Sequence, residues 1–105
     1  MCIRLSTLAA KPAVGAATII RMKTFIPTVD NGLKPLIVRK YPFRVEAVSP
    51  RGNVFRVTVK PSANPYAWRG TFRFPSAGVW FVRVTNWPSY PKGCGEQLHV
   101  RVRAS

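Results

Sequence analysis

Phe72-Arg73-Phe74-Pro75-Ser76-Ala77-Gly78-Val79-Trp80-Phe81-Val82-Arg83-Val84 decides the fold. Large apolar residues alternate with others on both sides of a Pro-Ser-Ala-Gly break. A period of two belongs to a strand with one face in a core and the other in water. Proline and glycine supply the turn that folds the second run back onto the first. The inward set is then Phe72, Phe74, Trp80, Val82 and Val84, continued upstream by Trp68 and Gly70. The same alternation recurs in Phe43-Arg44-Val45, Phe55-Arg56-Val57 and Val100-Arg101-Val102-Arg103. Phe43, Val45, Phe55, Val57, Val100 and Val102 therefore join the expected core.

Outside these runs, ten prolines and seven glycines cut the 105 residues into pieces too short for a sizeable helix. Residues 2–8 alternate weakly and read as a first strand. Residues 18–26 are rich in β-branched side chains, with Ile20, Met22 and Thr24 on one face and Arg21, Lys23 and Phe25 on the other. Asp30-Asn31-Gly32 is a turn signal, and Leu36-Ile37-Val38 reads as a short edge strand. Ser49-Pro50-Arg51-Gly52-Asn53 joins strands over 43–48 and 54–60 in a hairpin. A final strand spans 97–103. About seven strands with regularly spaced turn signals predict a single all-β domain over residues 1–105, an antiparallel β-sandwich. A small barrel is the alternative.

The wet face of these strands is cationic. Seventeen Lys and Arg stand against Asp30, Glu46 and Glu96, a net charge of +14, and eleven of the seventeen are Arg. Arginine binds carboxylate, phosphate or sulfate bidentately, where lysine acts as a point charge. Like charges facing each other on neighbouring strands are destabilising, so an anionic partner is the natural counterpart. The plainer reading is a compositional preference for Arg. The expected anion-binding surface comprises Arg56, Arg69, Arg73, Arg83, Arg101 and Arg103. Tyr66, Trp87 and Tyr90, beside prolines and basic residues in loops, are expected partner contacts, with covering of the sandwich ends as the structural alternative.

Catalytic chemistry finds little here. The three acids lie in separate pieces of the chain, and His99 shares the outward parity of Arg101 and Arg103. No phosphate-binding glycine loop, Ser-His-Asp order or metal-ligand spacing is present. Two cysteines and one histidine are too few for structural zinc, which takes four ligands. No catalytic residue, metal or cofactor is expected. No apolar run reaches the roughly 20 residues of a membrane-spanning helix. Residues 1–10 have neither the apolar stretch nor the cleavage site of a signal peptide. The chain is therefore either cytosolic or a mature form whose signal peptide is gone; a lipid-anchored Cys2 is a further reading.

The run over 72–84 resembles the F-x-F-P-x-A-G-x-W-x-V-x-V strand pair of bacterial extracytoplasmic immunoglobulin-like domains. Tyr41-Pro42-Phe43-Arg44-Val45 and Val48-Ser49-Pro50-Arg51-Gly52 are similar to the preceding hairpin of such domains, including YtkA-like and CopC-like modules. The likeness covers residues 41–102. It implies an immunoglobulin-like sandwich and an extracytoplasmic setting, but one fold hosts many functions. Copper-binding members use His and Met clusters, whereas this chain offers His99, Met22 and Met1, so copper binding does not carry over. In such a sandwich the first and last strands run parallel, which brings Cys2 and Cys94 to one end. A disulfide there would close a loop of about ninety residues, worth about 4 kcal/mol in the chain-entropy model; two unrelated thiols are the alternative. A bridge would place the domain outside the reducing cytosol.

The leading expectation is thus a non-catalytic, extracytoplasmic interaction module for a protein partner or an anionic envelope polymer. A nucleic-acid-binding β domain is the second, with arginines on phosphates and loop aromatics on bases. It is weakened because the exposed-parity positions are mostly Arg or Thr, with Phe81 the main aromatic exception. Sequence-specific recognition is not expected. A copper or redox accessory domain is the third.

Overall fold

A computed structural model describes residues 2–30, 32–86 and 97–104 of the chain. Among them every regular element is a strand: β1 (Cys2–Thr7), β2 (Ala17–Pro27), β3 (Leu33–Pro35), β4 (Val45–Val48), β5 (Val54–Val57), β6 (Lys60–Pro61), β7 (Ala67–Arg73), β8 (Gly78–Val84) and β9 (Gln97–Val102). They form two antiparallel sheets, one ordered β1-β2-β7-β6 with β3 also on β2, the other ordered β5-β4-β8-β9. The alternating runs of the sequence become strands with the expected parity, although β4 begins only at Val45, after Phe43 and Arg44. In β2, Ile20, Met22 and Thr24 are buried while Arg21 and Lys23 are exposed.

The two sheets meet through their inward sets. Ile3, Leu5, Ile20 and Met22 from one pack against Val45, Val57, Trp80, Val82 and Val100 from the other. Aromatic pairs fill the two ends: Phe43 sits edge-on to Trp68 at 5.0 Å, and Phe74 edge-on to Trp80 at 5.2 Å. Both buried indoles are satisfied, Trp68 Nε1–H donating to Val38 O at 2.6 Å and Trp80 Nε1–H to Ser76 O at 2.8 Å. A buried indole N–H without an acceptor would cost about 1–3 kcal/mol.

Three expectations need correcting. Phe55 faces inward but is 37% exposed, because β5 is the edge of its sheet. Its ring leans instead on Trp80 and on the half-buried Phe72, at 5.6 and 6.3 Å. The edge strand expected at Leu36-Ile37-Val38 forms three residues earlier, as β3. The turn at 28–32 closes tightly through Thr28 N–H to Gly32 O at 3.0 Å, so ladder pairing begins beside it. The run over 54–60 does not stay in one sheet: β5 ends at Val57 and the chain crosses to the opposite sheet as β6.

That crossing explains Gly70. A Cβ at this position would lie 2.1 Å from Thr58 O, so only glycine lets the crossing segment lie against β7. A parallel bridge between Ala13 and Arg103 ties the chain after β1 to the end of β9, with Val14 N–H on Arg103 O and Arg103 N–H on Pro12 O. β1 and β9 therefore run the same way, and Cys2 stands at the end where β9 begins.

Candidate anion-binding interface

The outer face of the five-stranded sheet is built from the residues between the core positions. In β1 these include Arg4 and Ser6, in β2 Ala17, Ile19, Arg21 and Lys23, and in β7 Arg69, Thr71 and Arg73. Register then decides who meets whom. Arg4 lies opposite Lys23, Arg21 opposite Arg69, and Arg69 opposite Lys60. Ser6, Arg21, Arg69 and Lys60 thus form one row across four strands, and Arg4 and Lys23 stand in the next. All five cations are exposed, and none of the five strands contains an acid. Directly opposed side chains in such pairs have Cβ atoms about 4.5–5.5 Å apart, and like charges there repel. Arg73, farther along β7, donates from Nη1 to Gly15 O at 2.7 Å. The Arg4 guanidinium stands 5.4 Å from the Phe25 ring centre.

The six arginines expected to form one surface do not do so. Arg69 and Arg73 belong to the face just described. Arg56, Arg83 and Arg101 point from the outer face of the opposite sheet, where Glu46 lies between Arg56 and Arg83 in register. Glu46 forms an ion pair with Arg83 at 3.1 Å. Arg103 sits beyond β9 and donates from Nε to Lys11 O at 3.2 Å. Sequence reading missed Arg4, Arg21, Lys23 and Lys60 as site residues, although the outward parity of Arg21 and Lys23 was visible. What it lacked was the pairing of β1, β2, β6 and β7, which no local pattern states.

Comparison with known proteins bears on the scaffold. No family model matches the chain, and no curated protein sequence matches it. Among solved structures, the crystal structure of the Lin-41 filamin domain is similar over 94% of this chain and 91% of that one. The TM-score is 0.62 and the identity 15%. The fold is an immunoglobulin-like β-sandwich. At that identity the likeness concerns the fold alone, and a fold of this kind hosts many functions.

The remaining expected residues lie around this frame or outside the described residues. Tyr66 is exposed, and its carbonyl accepts Thr24 N–H at 3.3 Å; Trp87, Tyr90 and Cys94 lie outside the described residues. Cys2 is fully buried. His99 is exposed, as its parity requires, and its ring meets Phe81 at 5.0 Å. Between the β4–β5 and β7–β8 turns lies an open cavity of about 400 Å³, whose lining includes Arg51, Phe55 and Trp80. Its Ser49 hydroxyl already accepts Asn53 N–H at 3.0 Å. Among the described residues no group of three His, Cys, Asp or Glu gathers where a metal could sit.

Proposed function

We propose that this chain is a non-catalytic, extracytoplasmic interaction module that holds an anionic envelope polymer along the outer face of its five-stranded sheet. The observation that carries this reading is the row Arg21–Arg69–Lys60 with the pair Arg4–Lys23 beside it, like charges in direct opposition with no acid on their strands. A flat, regular array of cations suits a ligand whose anions repeat along its length. Nucleic acid is a weaker fit. Among the described residues, Phe25 is the aromatic on this face, and half-buried and capped by Arg4 it makes a poor stacking platform for bases.

Heparin and polyphosphate serve as probes. The full chain is expected to bind both at low salt and to release them steeply as salt rises, since counterion release drives such binding. An Arg21→Ala/Lys23→Ala/Arg69→Ala variant should elute from heparin at clearly lower salt, whereas Arg56→Ala/Arg101→Ala should change elution little. Equal losses in both variants would mean diffuse charge and not a face. Nanomolar, sequence-selective DNA or RNA binding at physiological salt would overturn the reading in favour of nucleic acid.

The extracytoplasmic setting goes with a Cys2–Cys94 disulfide, which we include in the proposal. Two observations support it: Cys2 shares the outward parity of Arg4 yet is fully buried, and it stands at the end of the sandwich where β9 begins. The intact chain should weigh two protons less before reduction than after it, and reduction should lower the Tm. Two freely alkylatable thiols in the native, air-exposed protein would remove the bridge and the main support for the compartment.

A further inference from the structure

The outer face of the four-stranded sheet is chemically unlike its counterpart. In register across β5, β4, β8 and β9, Val54, Val48, Phe81 and His99 form one continuous row. Val79 extends it along β8. Val54 is 53% exposed and Val79 47%. Cations border the row on both sides: Arg56 and Arg83 in the row before it, Arg101 opposite Val79 in the row after it. Arg83 is engaged with Glu46, so the charge directed outward comes chiefly from Arg56 and Arg101, both exposed.

We infer that this face docks a protein segment with an apolar centre and flanking carboxylates, laid across the four strands. The inference goes beyond the polymer-binding reading and uses the opposite side of the molecule. Three strand spacings of about 4.8 Å give a row of roughly 14 Å, the length of four or five extended residues at about 3.3 Å each. Charge complementarity selects the occupant. A second copy of this chain would bring another +14 and a further Arg56 and Arg101 to the contact. Among the described residues a single-stranded nucleic acid would find two small rings on this row, Phe81 and His99, already packed against each other with centres 5.0 Å apart and planes at 61°. Aliphatic valines flanked by guanidinium groups fit leucine, valine or phenylalanine side chains between Asp and Glu.

The test pans a randomised seven-residue peptide library, displayed on phage, against the full chain, with counter-selection on a Val54→Glu/Val79→Glu variant. Enriched sequences should carry at least two aliphatic or aromatic residues bordered by Asp or Glu. A synthetic peptide of that sequence should shift the backbone amide resonances of Val48, Phe81 and His99. Its affinity should fall more than tenfold in the valine double variant and in Arg56→Glu/Arg101→Glu, which keeps the apolar row and guards against misfolding of the first. The same peptide should bind Arg21→Ala/Lys23→Ala/Arg69→Ala as tightly as the parent, so the fate of this face and that of the polymer-binding face are read separately. Basic or uncharged consensus sequences, no enrichment, or equal binding to the parent and valine variants would overturn the inference. So would oligothymidylate shifting these amides, or self-association through them.

Discussion

At position 70 the chain has no room for a side chain, because Thr58 O occupies the place a Cβ would take, 2.1 Å away. The obstacle is backbone, which cannot rotate aside as a side-chain tip can. Gly70→Ala should therefore cost about 1–3 kcal/mol or more, as overpacking does, seen as a lower urea midpoint with unchanged slope. Thr71→Ala, on the exposed face of the same strand, should stay within about 0.5 kcal/mol. A second single-residue effect is electrostatic. The Thr28 hydroxyl donates to Asp30, and the backbone amides at Asp30 and Gly32 assist, holding that carboxyl below its ordinary value of 3.8. A depressed carboxyl favours the fold above its unfolded value and loses that contribution as pH falls through the folded one. Asp30 is fully exposed, so the readable effect is the titration itself. Thr28→Val should move the Asp30 carbon resonance midpoint upward, toward 3.8; no movement would detach the shift from Thr28.

At the scale of elements, period-two alternation made the strands legible because burial on one face is what such a pattern means physically. Trp68, Phe74, Trp80 and Val100 were readable as core for that reason. Register was not legible. Arg69 meets Arg21 and Lys60 only because β7 lies between β2 and β6, and that order depends on a chain crossing between sheets at Thr58, where the sequence shows a continuous strand. The same gap hid the rim: Phe55 has core parity, but parity does not say that β5 lies at an edge. Closure of the β4 and β8 ends was likewise unreadable, since it uses polar groups 42 to 45 residues apart. Asn86 Oδ1 accepts Arg44 N–H and its Nδ2 donates to Pro42 O, both at 2.7 Å, while the Tyr41 hydroxyl donates to Asn86 O at 2.9 Å. Asn86→Ala removes two of these bonds, which at an exposed site should cost about 1–2 kcal/mol. Hydrogen exchange should identify the lesion, with the Arg44 amide losing protection and the Val82 amide in mid-strand keeping it. Uniform loss across β8 would mean that the clasp is part of the global unfolding unit.

The whole molecule carries its charge unevenly. One sheet bears opposed cations without an acid on its strands, and the other interleaves its arginines with Glu46 and a valine row. The repulsion on the first face is a standing cost to the fold and also the source of its attraction for polyanions, so salt should act on the two properties with opposite sign. Screening lengths fall from about 30 Å at 0.01 M to about 10 Å at 0.1 M and about 3 Å at 1 M. Opposed side chains about 5 Å apart are therefore relieved chiefly above 0.1 M. Three opposed pairs at about 0.2–1 kcal/mol each amount to roughly 1–3 kcal/mol. A gain of 1 kcal/mol raises the Tm of a domain near 100 residues by about 4–8 °C. Raising potassium chloride from 0.1 to 1 M should thus lift the Tm by about 5 °C while abolishing retention on heparin. Arg21→Ser/Arg69→Ser should lose most of the salt-induced rise and elute from heparin at lower salt, starting from a higher Tm at low salt. If that variant kept the salt-induced rise, the repulsion would belong to the net charge of the chain at large, and the opposed rows of β1, β2, β7 and β6 would not be where the fold is held against itself.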